Sequence, residues 1–335
     1  MKVTIKDIAK AANISYSAVS RALNGHKGVS EETRQKVKDL AVKMDYSPNA
    51  LARSLVQKQT GTIGLILPDI TNPFYPELVR GVEERASSAG YNTFFCNTNY
   101  DLKKEESYIH NLLEKRVDGI ILAPITSQAN YFEKRNRIPV PFVYLGNAPE
   151  STKFNYVITD NIRGGYLAAR TLIERNYRKI GFISGVQNGS ITDGRYTGFI
   201  EAMKRYNLEI NENYIKQKSW RLISGYECIL EMIDSGNCPE AVMAGNDLIA
   251  IGILQGAKER KFRVPEDLAI IGFDDIPNAS WPEINLSTIK QPKIQMGMAS
   301  VEILLDIFQS DDSGSTQKRV RRLIMDPELI LRGSC

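Results

Sequence analysis

The stretch TIKDIAKAANISYSAVSRALNG at residues 4–25 predicts two short helices joined by a tight turn. Thr4 can cap the first helix and Ser15 the second, because both hydroxyls can accept a hydrogen bond from a free backbone N–H of the first helical turn. A third helix, EETRQKVKDLAVKM, follows a similar cap at Ser30. Each helix is too short to bury a core alone, so we expect the three to share one small core.

The short turn between the first two helices requires a steep crossing angle. That geometry is typical of a helix-turn-helix, which offers its second helix to the major groove of DNA. Hydroxyl and guanidinium groups at the exposed start of this helix can bond base edges and phosphates. A three-helix domain that binds protein is the alternative. The residues of this headpiece predicted to contact DNA are Thr4, Ser15, Tyr16, Ser17, Ser20, Arg21, Asn24 and His26.

The distribution of charge favours a polyanionic partner for this headpiece. Residues 1–60 carry 11 Lys and Arg against 5 Asp and Glu, whereas the remaining residues carry 32 against 34. A solvated basic surface is the alternative that charge by itself would favour. The first residues lack the apolar segment of a signal peptide, and no apolar run approaches about 18 residues. The four scattered cysteines are typical of reduced thiols, so we expect a cytoplasmic protein without membrane contact.

From residue 61 onward, β-rich apolar runs alternate with helical patterns, which predicts parallel sheets built from βαβ units. The runs TIGLILP, NTFFCN, GIILAP, FVYLG, KIGFIS, AVMAGN, LAIIGFDD, RRLIMD and ELILR are more strands than one small sheet needs. We therefore expect two lobes, one at about 61–160 and the other at about 161–290. The later run QPKIQMGMASVEILLDIF predicts an amphipathic helix.

The words T-I-x-D-I-A, V-S-R-x-L-N and Y-x-P-N-x-x-A-R-x-L occur in this order near the start of the chain. They resemble the lactose-repressor (LacI/GalR) family of bacterial transcription regulators, and the resemblance continues along the chain. It implies an all-α helix-turn-helix headpiece at 1–46, a hinge helix and linker at 47–60, and a ligand-binding and dimerisation core at 61–335. The implied core is an α/β fold of two parallel-sheet lobes, as in periplasmic binding proteins. In that arrangement the chain returns to the first lobe at about 291–318, and the last two strands, at about 319–335, close the second lobe.

In the family, the hinge helix folds on operator DNA, pairs with its twin from the other subunit and inserts a leucine into the minor groove. Such an apolar wedge unstacks a base step and kinks the duplex. The resemblance implies that the leucine is Leu55, for which a plain linker hydrophobe is the alternative. The DNA-contacting positions of this segment are Asn49, Ala52, Arg53 and Leu55.

Ligands of open α/β sheets bind beyond the carboxyl ends of the strands, so polar and aromatic residues at predicted strand ends are candidates for a ligand site. Aromatic faces stack on a sugar or a base, while arginine and aspartate can bond hydroxyl groups. A turn at Asn72, a helix cap at Asp247 and a core position for Trp220 are the alternatives. The candidates are Asn72, Phe74, Tyr75, Arg195, Trp220, Asn246, Asp274 and Gln291, of which Phe74, Arg195, Asn246, Asp274 and Gln291 match sugar-contacting positions of related proteins.

Catalytic patterns are missing from the sequence. It has two histidines and neither a P-loop, a G-x-S-x-G nor a dinucleotide-binding motif, so we expect no enzyme, no cofactor and no metal. The resemblance implies a homodimeric repressor that binds a pseudo-palindromic operator and responds to a small-molecule effector, a sugar or sugar derivative. A corepressor-dependent regulator that responds to a purine or phosphosugar, a solute-binding receptor, and a protein coregulator on the first lobe stay open.

Overall fold

The structure, a computed structural model, describes residues 3–23, 27–46, 59–126, 131, 138–147, 153–185, 194–312 and 320–335, with side chains of the last helix described up to residue 309. The chain divides into two compact units, Met1–Thr60 and Gly61–Cys335. The described helices are α1 (Ile5–Ala12), α2 (Tyr16–Leu23) and α3 (Glu31–Lys43) in the first unit, and α4 (Phe74–Ser88), α5 (Leu102–Glu114), α6 (Asn161–Glu174), α7 (Gly194–Arg205), α8 (Leu222–Asp234), α9 (Asp247–Glu259) and α10 (Lys293–Asp312) in the second.

Within the described residues, all strands lie in the second unit. They are β1 (Thr62–Leu67), β2 (Asn92–Asn97), β3 (Gly119–Leu122), β4 (Phe142–Leu145), β5 (Asn155–Thr159), β6 (Ile180–Gly185), β7 (Ile215–Lys218), β8 (Ala241–Ala244), β9 (Ala269–Asp274), β10 (Ser287–Lys290), β11 (Arg322–Met325) and β12 (Glu328–Ile330). Within the described ranges, none of the helices is long and apolar enough to cross a membrane.

The first unit is a three-helix domain with one small apolar core. Ile8 and Ala12 of α1, Val19 of α2 and Val37 of α3 are buried against one another. Asn13 ends α1 with a φ of 57°, a left-handed conformation that asparagine adopts more readily than most residues. This residue makes the sharp turn that lets two short helices share a core.

Side-chain hydrogen bonds begin these helices where the sequence predicts. The Asp7 carboxylate accepts hydrogen bonds from the Thr4 hydroxyl at 2.7 Å and the Thr4 N–H at 2.8 Å, which lower the pKa of Asp7. Ser15 and Ser30 each accept a hydrogen bond at 3.2 Å from the backbone N–H three residues further on. The caps fix where each short helix starts, and therefore which face it buries.

The second unit contains two six-stranded sheets. The strand order is β11-β5-β4-β3-β1-β2 in the first sheet and β12-β10-β9-β8-β6-β7 in the second. All pairs are parallel except β10 with β12. Central strands such as β1 and β9 are buried along their whole length because helices cover both faces, as the continuous apolar runs predict.

The assignment of 319–335 to the second lobe is wrong for part of that segment. Strand β11 pairs in parallel with β5 and so closes the first sheet, and only β12 joins the second. An apolar run indicates a strand but not which open sheet edge it will pair with. The chain therefore crosses between the lobes three times, after β5, after β10 and between β11 and β12. The N–H of Asp160 donates to the carbonyl of Met325 at 2.9 Å and ties the first crossing to the third.

Three helix pairs pack so closely that glycines touch the neighbouring backbone. The pairs are α4 with α10, α6 with α7, and α8 with α9. In each pair, both helices place a glycine where a Cβ atom would lie 2.0 to 2.3 Å from a carbonyl oxygen of the partner. Real Cβ atoms do not approach so closely, so an alanine would force the helices apart. The six glycines are Gly81 and Gly297, Gly165 and Gly198, and Gly225 and Gly252.

Candidate functional site

A cavity of about 120 Å³ lies between the carboxyl ends of the two sheets. This is well above the roughly 10–15 Å³ that a cavity needs to hold one water molecule, so the cavity has room for a ligand larger than water. We refer to this cavity as the cleft. It is lined by Pro68, Asn72, Phe74, Tyr75, Tyr100, Ala123, Pro124, Leu145, Gly146 and Asn147 from the first lobe and by Asn161, Gly185, Gly194, Arg195, Gln217, Trp220, Asn246 and Asp274 from the second.

Asp274 brings a carboxylate into the cleft from the end of β9. Its φ of 121° and the φ of 52° at Asp275 lie in regions that L-residues rarely adopt. Gln291 donates its amide N–H to one Asp274 carboxylate oxygen at 2.6 Å, and the Arg195 guanidinium lies 3.8 Å from the same oxygen. Strained backbone of this kind persists where the surrounding contacts over-determine it, and it is concentrated at functional sites.

Arg195 lies opposite this carboxylate in the first turn of α7, close to Gly165 of α6. Its guanidinium donates to the Asn161 side-chain oxygen at 3.0 Å and to the carbonyl oxygen of Gly245. The guanidinium carbon also lies 3.9 Å from the centre of the Phe273 ring. These contacts hold the cation flat against the wall, where its charge balances that of the nearby carboxylate.

Asn246 lines the cleft and also caps α9. Its side-chain oxygen accepts a hydrogen bond from the N–H of Ile249 at 2.8 Å, and its amide donates to the Trp220 carbonyl at 3.1 Å. The alternative that Asp247 is the cap is therefore wrong. Asp247 is fully buried and accepts hydrogen bonds from the Thr288 hydroxyl and the Ile276 N–H.

Burial raises the pKa of Asp247 well above the usual range of an aspartate, and the negative charge of Asp274 raises it further. Through its two hydrogen bonds, Asp247 at the start of α9 holds the segment after β9 and the strand β10 together. It supports the cleft from behind and is not part of its lining.

Aromatic side chains occupy the first-lobe wall of the cleft. Phe74 and Tyr75 meet edge to face, with ring centroids 5.1 Å apart. Burial raises the pKa of Tyr75, and the nearby Tyr100 and Asp274 raise it further, so the Tyr75 hydroxyl stays protonated and can donate. Asn72 makes the turn that its Asn-Pro sequence suggests, since its side-chain oxygen accepts a hydrogen bond from the Phe74 N–H at 3.0 Å, and it still borders the cleft.

Trp220 forms the second-lobe wall of the cleft, where it is half-buried and also packs against the apolar core. Its ring packs directly on Gly185, where a Cβ atom would lie 2.4 Å from the indole, and it also touches Gly245. Its indole N–H is buried and has no hydrogen-bond partner within the described ranges. An indole donor in this position can be satisfied by an acceptor on a bound ligand.

Gln291 does not line the cleft, although it was a predicted contact. It is buried behind Asp274, where its amide donates to that carboxylate and its side-chain oxygen accepts from the Thr159 hydroxyl at 2.7 Å. Four polar lining residues were not predicted from the sequence. Tyr100 and Asn147 follow predicted strands and so carried the same signal as Asn72, whereas Asn161 follows β5 and Gln217 lies in β7, two strands that were not predicted. The structure brings together seven of the eight predicted residues, Asn72, Phe74, Tyr75, Arg195, Trp220, Asn246 and Asp274, with Gln291 behind them.

The first unit presents a separate polar surface along α2. Tyr16 is 53% exposed at the start of the helix, and Ser17 and Arg21 are exposed beside it. The Arg21 guanidinium donates to the Ser17 carbonyl at 3.3 Å, so its side chain lies along the exposed face. The predicted contacts Thr4 and Ser15 are exposed at the starts of α1 and α2, and Ser20 is half-buried. The predicted contacts Asn24, His26, Asn49, Ala52, Arg53 and Leu55 lie outside the described residues.

Two family models match the chain, each over one of these units. Residues 4–49 match "Bacterial regulatory proteins, lacI family", and residues 60–325 match "Periplasmic binding proteins and sugar binding domain of LacI family". The first match covers the helix-turn-helix, and the second covers the cleft and every strand of the two sheets except β12.

Similar proteins align over nearly the full length. The HTH-type transcriptional regulator DegA of Bacillus subtilis is 36% identical over 100% of this chain and 98% of its own length. The HTH-type transcriptional repressor PurR of Haemophilus influenzae is 35% identical over 99% of this chain and 98% of its own. Among solved structures, the Lac repressor dimer bound to operator and the anti-inducer ONPF has a TM-score of 0.87 and 26% identity, and covers 100% of this chain and 99% of that one.

Proposed function

Because the chain belongs to the lacI family of bacterial regulatory proteins and is a DNA-binding transcription regulator, we propose how its parts divide that work. The headpiece reads a pseudo-palindromic operator as part of a homodimer, and the cleft binds a sugar that lowers the affinity for the operator. The protein is a repressor that acts in the cytoplasm, where its DNA lies, and no catalytic step is assigned to it.

The exposed face of α2 supports the assignment of DNA reading to the headpiece. Tyr16 and Ser17 stand at the N-terminal end of the second helix, which is the end that meets base edges in a helix-turn-helix. Arg21 lies one turn further on and is exposed. A guanidinium in this position can make paired hydrogen bonds to guanine, while the serines position the helix on phosphates.

The observation that carries the ligand class is the pairing of Asp274 with Arg195 among amides and aromatic rings. Arg195 is the single cation among the described lining residues, and its guanidinium already bonds Asn161 and Gly245. The Asp274 carboxylate would repel a phosphate group bound here, and the described lining residues offer no second cation to balance the charge of the phosphate. A neutral polyhydroxy compound instead finds a carboxylate for its hydroxyl groups and aromatic faces for its C–H surface.

We assign the dimer contact of the first lobe to the edge strand β2. Phe94 and Phe95 are neighbours on this strand and both are largely exposed, although adjacent residues face opposite sides of a sheet. An edge with open hydrogen-bonding groups and exposed phenylalanines is a surface that a second copy can cover. A homodimer also places two headpieces for the two half-sites of a palindrome.

The experiment that tests the proposal is operator selection with the purified protein. Fragments of its own genome are selected for binding, and the selection is repeated with single sugars and with purines. A palindromic site that one sugar releases is the expected result. A site bound only when a purine or phosphosugar is added would replace the proposal with a corepressor-dependent regulator, and specific binding only with an added protein would indicate a coregulator. Specific binding that survives removal of residues 1–60 would contradict the role of the headpiece.

A further inference from the structure

Lys293 is a buried cation at a crossing between the lobes, outside the cleft lining. It begins α10, directly after the chain returns from the second sheet, and its side chain is 5% exposed. Its ammonium group donates to the carbonyl oxygens of Asp274 at 2.7 Å and Asp275 at 2.6 Å, and lies 2.8 Å from a carboxylate oxygen of Glu77. These contacts engage all three donors of a lysine ammonium group.

Two of these contacts fix the strained backbone of the cleft. Asp274 and Asp275 both have positive φ, and Lys293 bonds the carbonyl oxygen of each. Gln291 holds the Asp274 carboxylate from the same crossing segment. Lys293 therefore fixes the backbone that directs the Asp274 carboxylate into the cleft, although it does not reach the cleft itself.

The third contact reaches the other lobe. Glu77 lies in the first turn of α4, three residues after Phe74, which lines the cleft. Helix α4 packs on α10 through the glycine contacts at Gly81 and Gly297. Asp274, in contrast, ends a central strand of the second sheet. One ammonium group thus joins a strand end of the second lobe to a helix of the first.

We propose that Lys293 is a positioning residue that couples ligand contact at Asp274 to the position of α4 through the ion pair with Glu77. A sugar that draws the Asp274 carboxylate shifts the two carbonyl groups relative to the first lobe. Lys293 keeps all three bonds only if α4 moves with them, so ligand contact in one lobe becomes a displacement in the other. This inference rests on the proposed effector role of the cleft. It predicts that breaking the ion pair separates binding of the sugar from the response to it.

Glu77→Ala is the decisive variant, because the Glu77 side chain is 35% exposed and its loss opens one donor of Lys293 to solvent. Full-length wild type and variant, both in a Trp281→Phe background, are titrated with D-ribose, D-glucose, D-galactose and cellobiose while Trp220 fluorescence is recorded. Operator fragments selected with the wild type are then titrated with and without each saturating sugar. The two quantities compared are the Kd of the sugar and the ratio of the two operator affinities.

Glu77→Ala is expected to bind the active sugar within about threefold of wild type, while its ratio of operator affinities falls about tenfold toward one. Lys293→Met is expected to weaken sugar binding as well, because the Asp274 backbone loses its support, and Lys293→Arg, which keeps a cation with several donors, to restore part of both. Lys290→Met is the matched control, since that half-exposed lysine pairs with Glu328 on the neighbouring strand and is expected to leave both quantities unchanged.

If Glu77→Ala has the same ratio of operator affinities with and without sugar as the wild type, the inference is overturned and the proposed function stays intact. If Lys293→Met fails to fold, Glu77→Ala still decides the question without it. If none of the four sugars changes the operator affinity of the wild-type protein, the proposed sugar response itself is overturned. The coupling through Lys293 is then overturned as well.

Discussion

Asp274→Asn tests the cleft at the carboxylate on which the proposed ligand class depends. Gln291 donates to one oxygen of Asp274 and requires an acceptor there, so the variant side chain keeps its remaining oxygen toward Gln291. Its NH₂ group then replaces the second acceptor, and a ligand hydroxyl loses a charge-assisted hydrogen bond. A bond of this kind contributes about 2–3 kcal/mol, which corresponds to roughly 30–150-fold weaker binding of the sugar.

We choose asparagine and not alanine at this position because asparagine adopts a positive φ, here 121°, more readily than alanine does. The assay follows Trp220 fluorescence during titration with the sugar that releases the operator, and operator affinity without sugar is expected to stay at the wild-type value. Asp275→Asn is the matched control, since its carboxylate bonds Arg332 at 2.7 Å and does not line the cleft. Equal sugar affinity in the two variants would refute the placement of the ligand at Asp274.

Three further changes test other parts of the proposal. Arg21→Ala is expected to weaken operator binding by about 1–3 kcal/mol and to relax selectivity at one base pair, as measured by titration against single-base operator variants; an equal loss on all of them would indicate a phosphate contact instead. Phe95→Glu is expected to weaken the dimer by about 2–4 kcal/mol, as measured by analytical ultracentrifugation at a series of concentrations. An unchanged dimer affinity would exclude the contact through β2. Gly185→Ala places a Cβ atom 2.4 Å from the Trp220 ring, so the ring must move into the cleft. We expect a shifted Trp220 fluorescence emission and about tenfold weaker sugar binding. An unchanged emission spectrum would contradict the position of the ring.

Strands with a continuous apolar run were predictable from the sequence, whereas β5, β7 and β10 were not predicted. The runs that became β1, β3, β6, β8 and β9 are apolar along their length because helices cover both of their faces. Strand β7 has the sequence IKQK at an exposed edge and therefore carries no apolar pattern. Strand β11 was recognised but placed in the wrong lobe, because its partner β5 lies more than 160 residues away and pairing at such distance leaves no local signal.

The site was predictable where one polar residue directly follows an apolar strand. Asp274 and Asn246 were found in this way, and Asn147 could have been found by the same rule, whereas Asn161 follows β5, which was not predicted. What the sequence does not contain is the direction of each side chain. The placement of Gln291 behind the carboxylate depends on hydrogen bonds to residues more than a dozen positions away, which no local pattern specifies.

The reciprocal glycine contacts restrict which parts of the core can yield mechanically. Two helices whose backbones touch cannot slide or bend separately without a clash, so each of the three pairs behaves as one stiff block. The two sheets are stiffened in the same way by the blocks packed on them. Bending is left to the three segments that run between the lobes, of which the first and the third are joined by the hydrogen bond from Asp160 to Met325. Any narrowing of the cleft is therefore a rotation about those segments, and the distances within each block stay constant as it occurs.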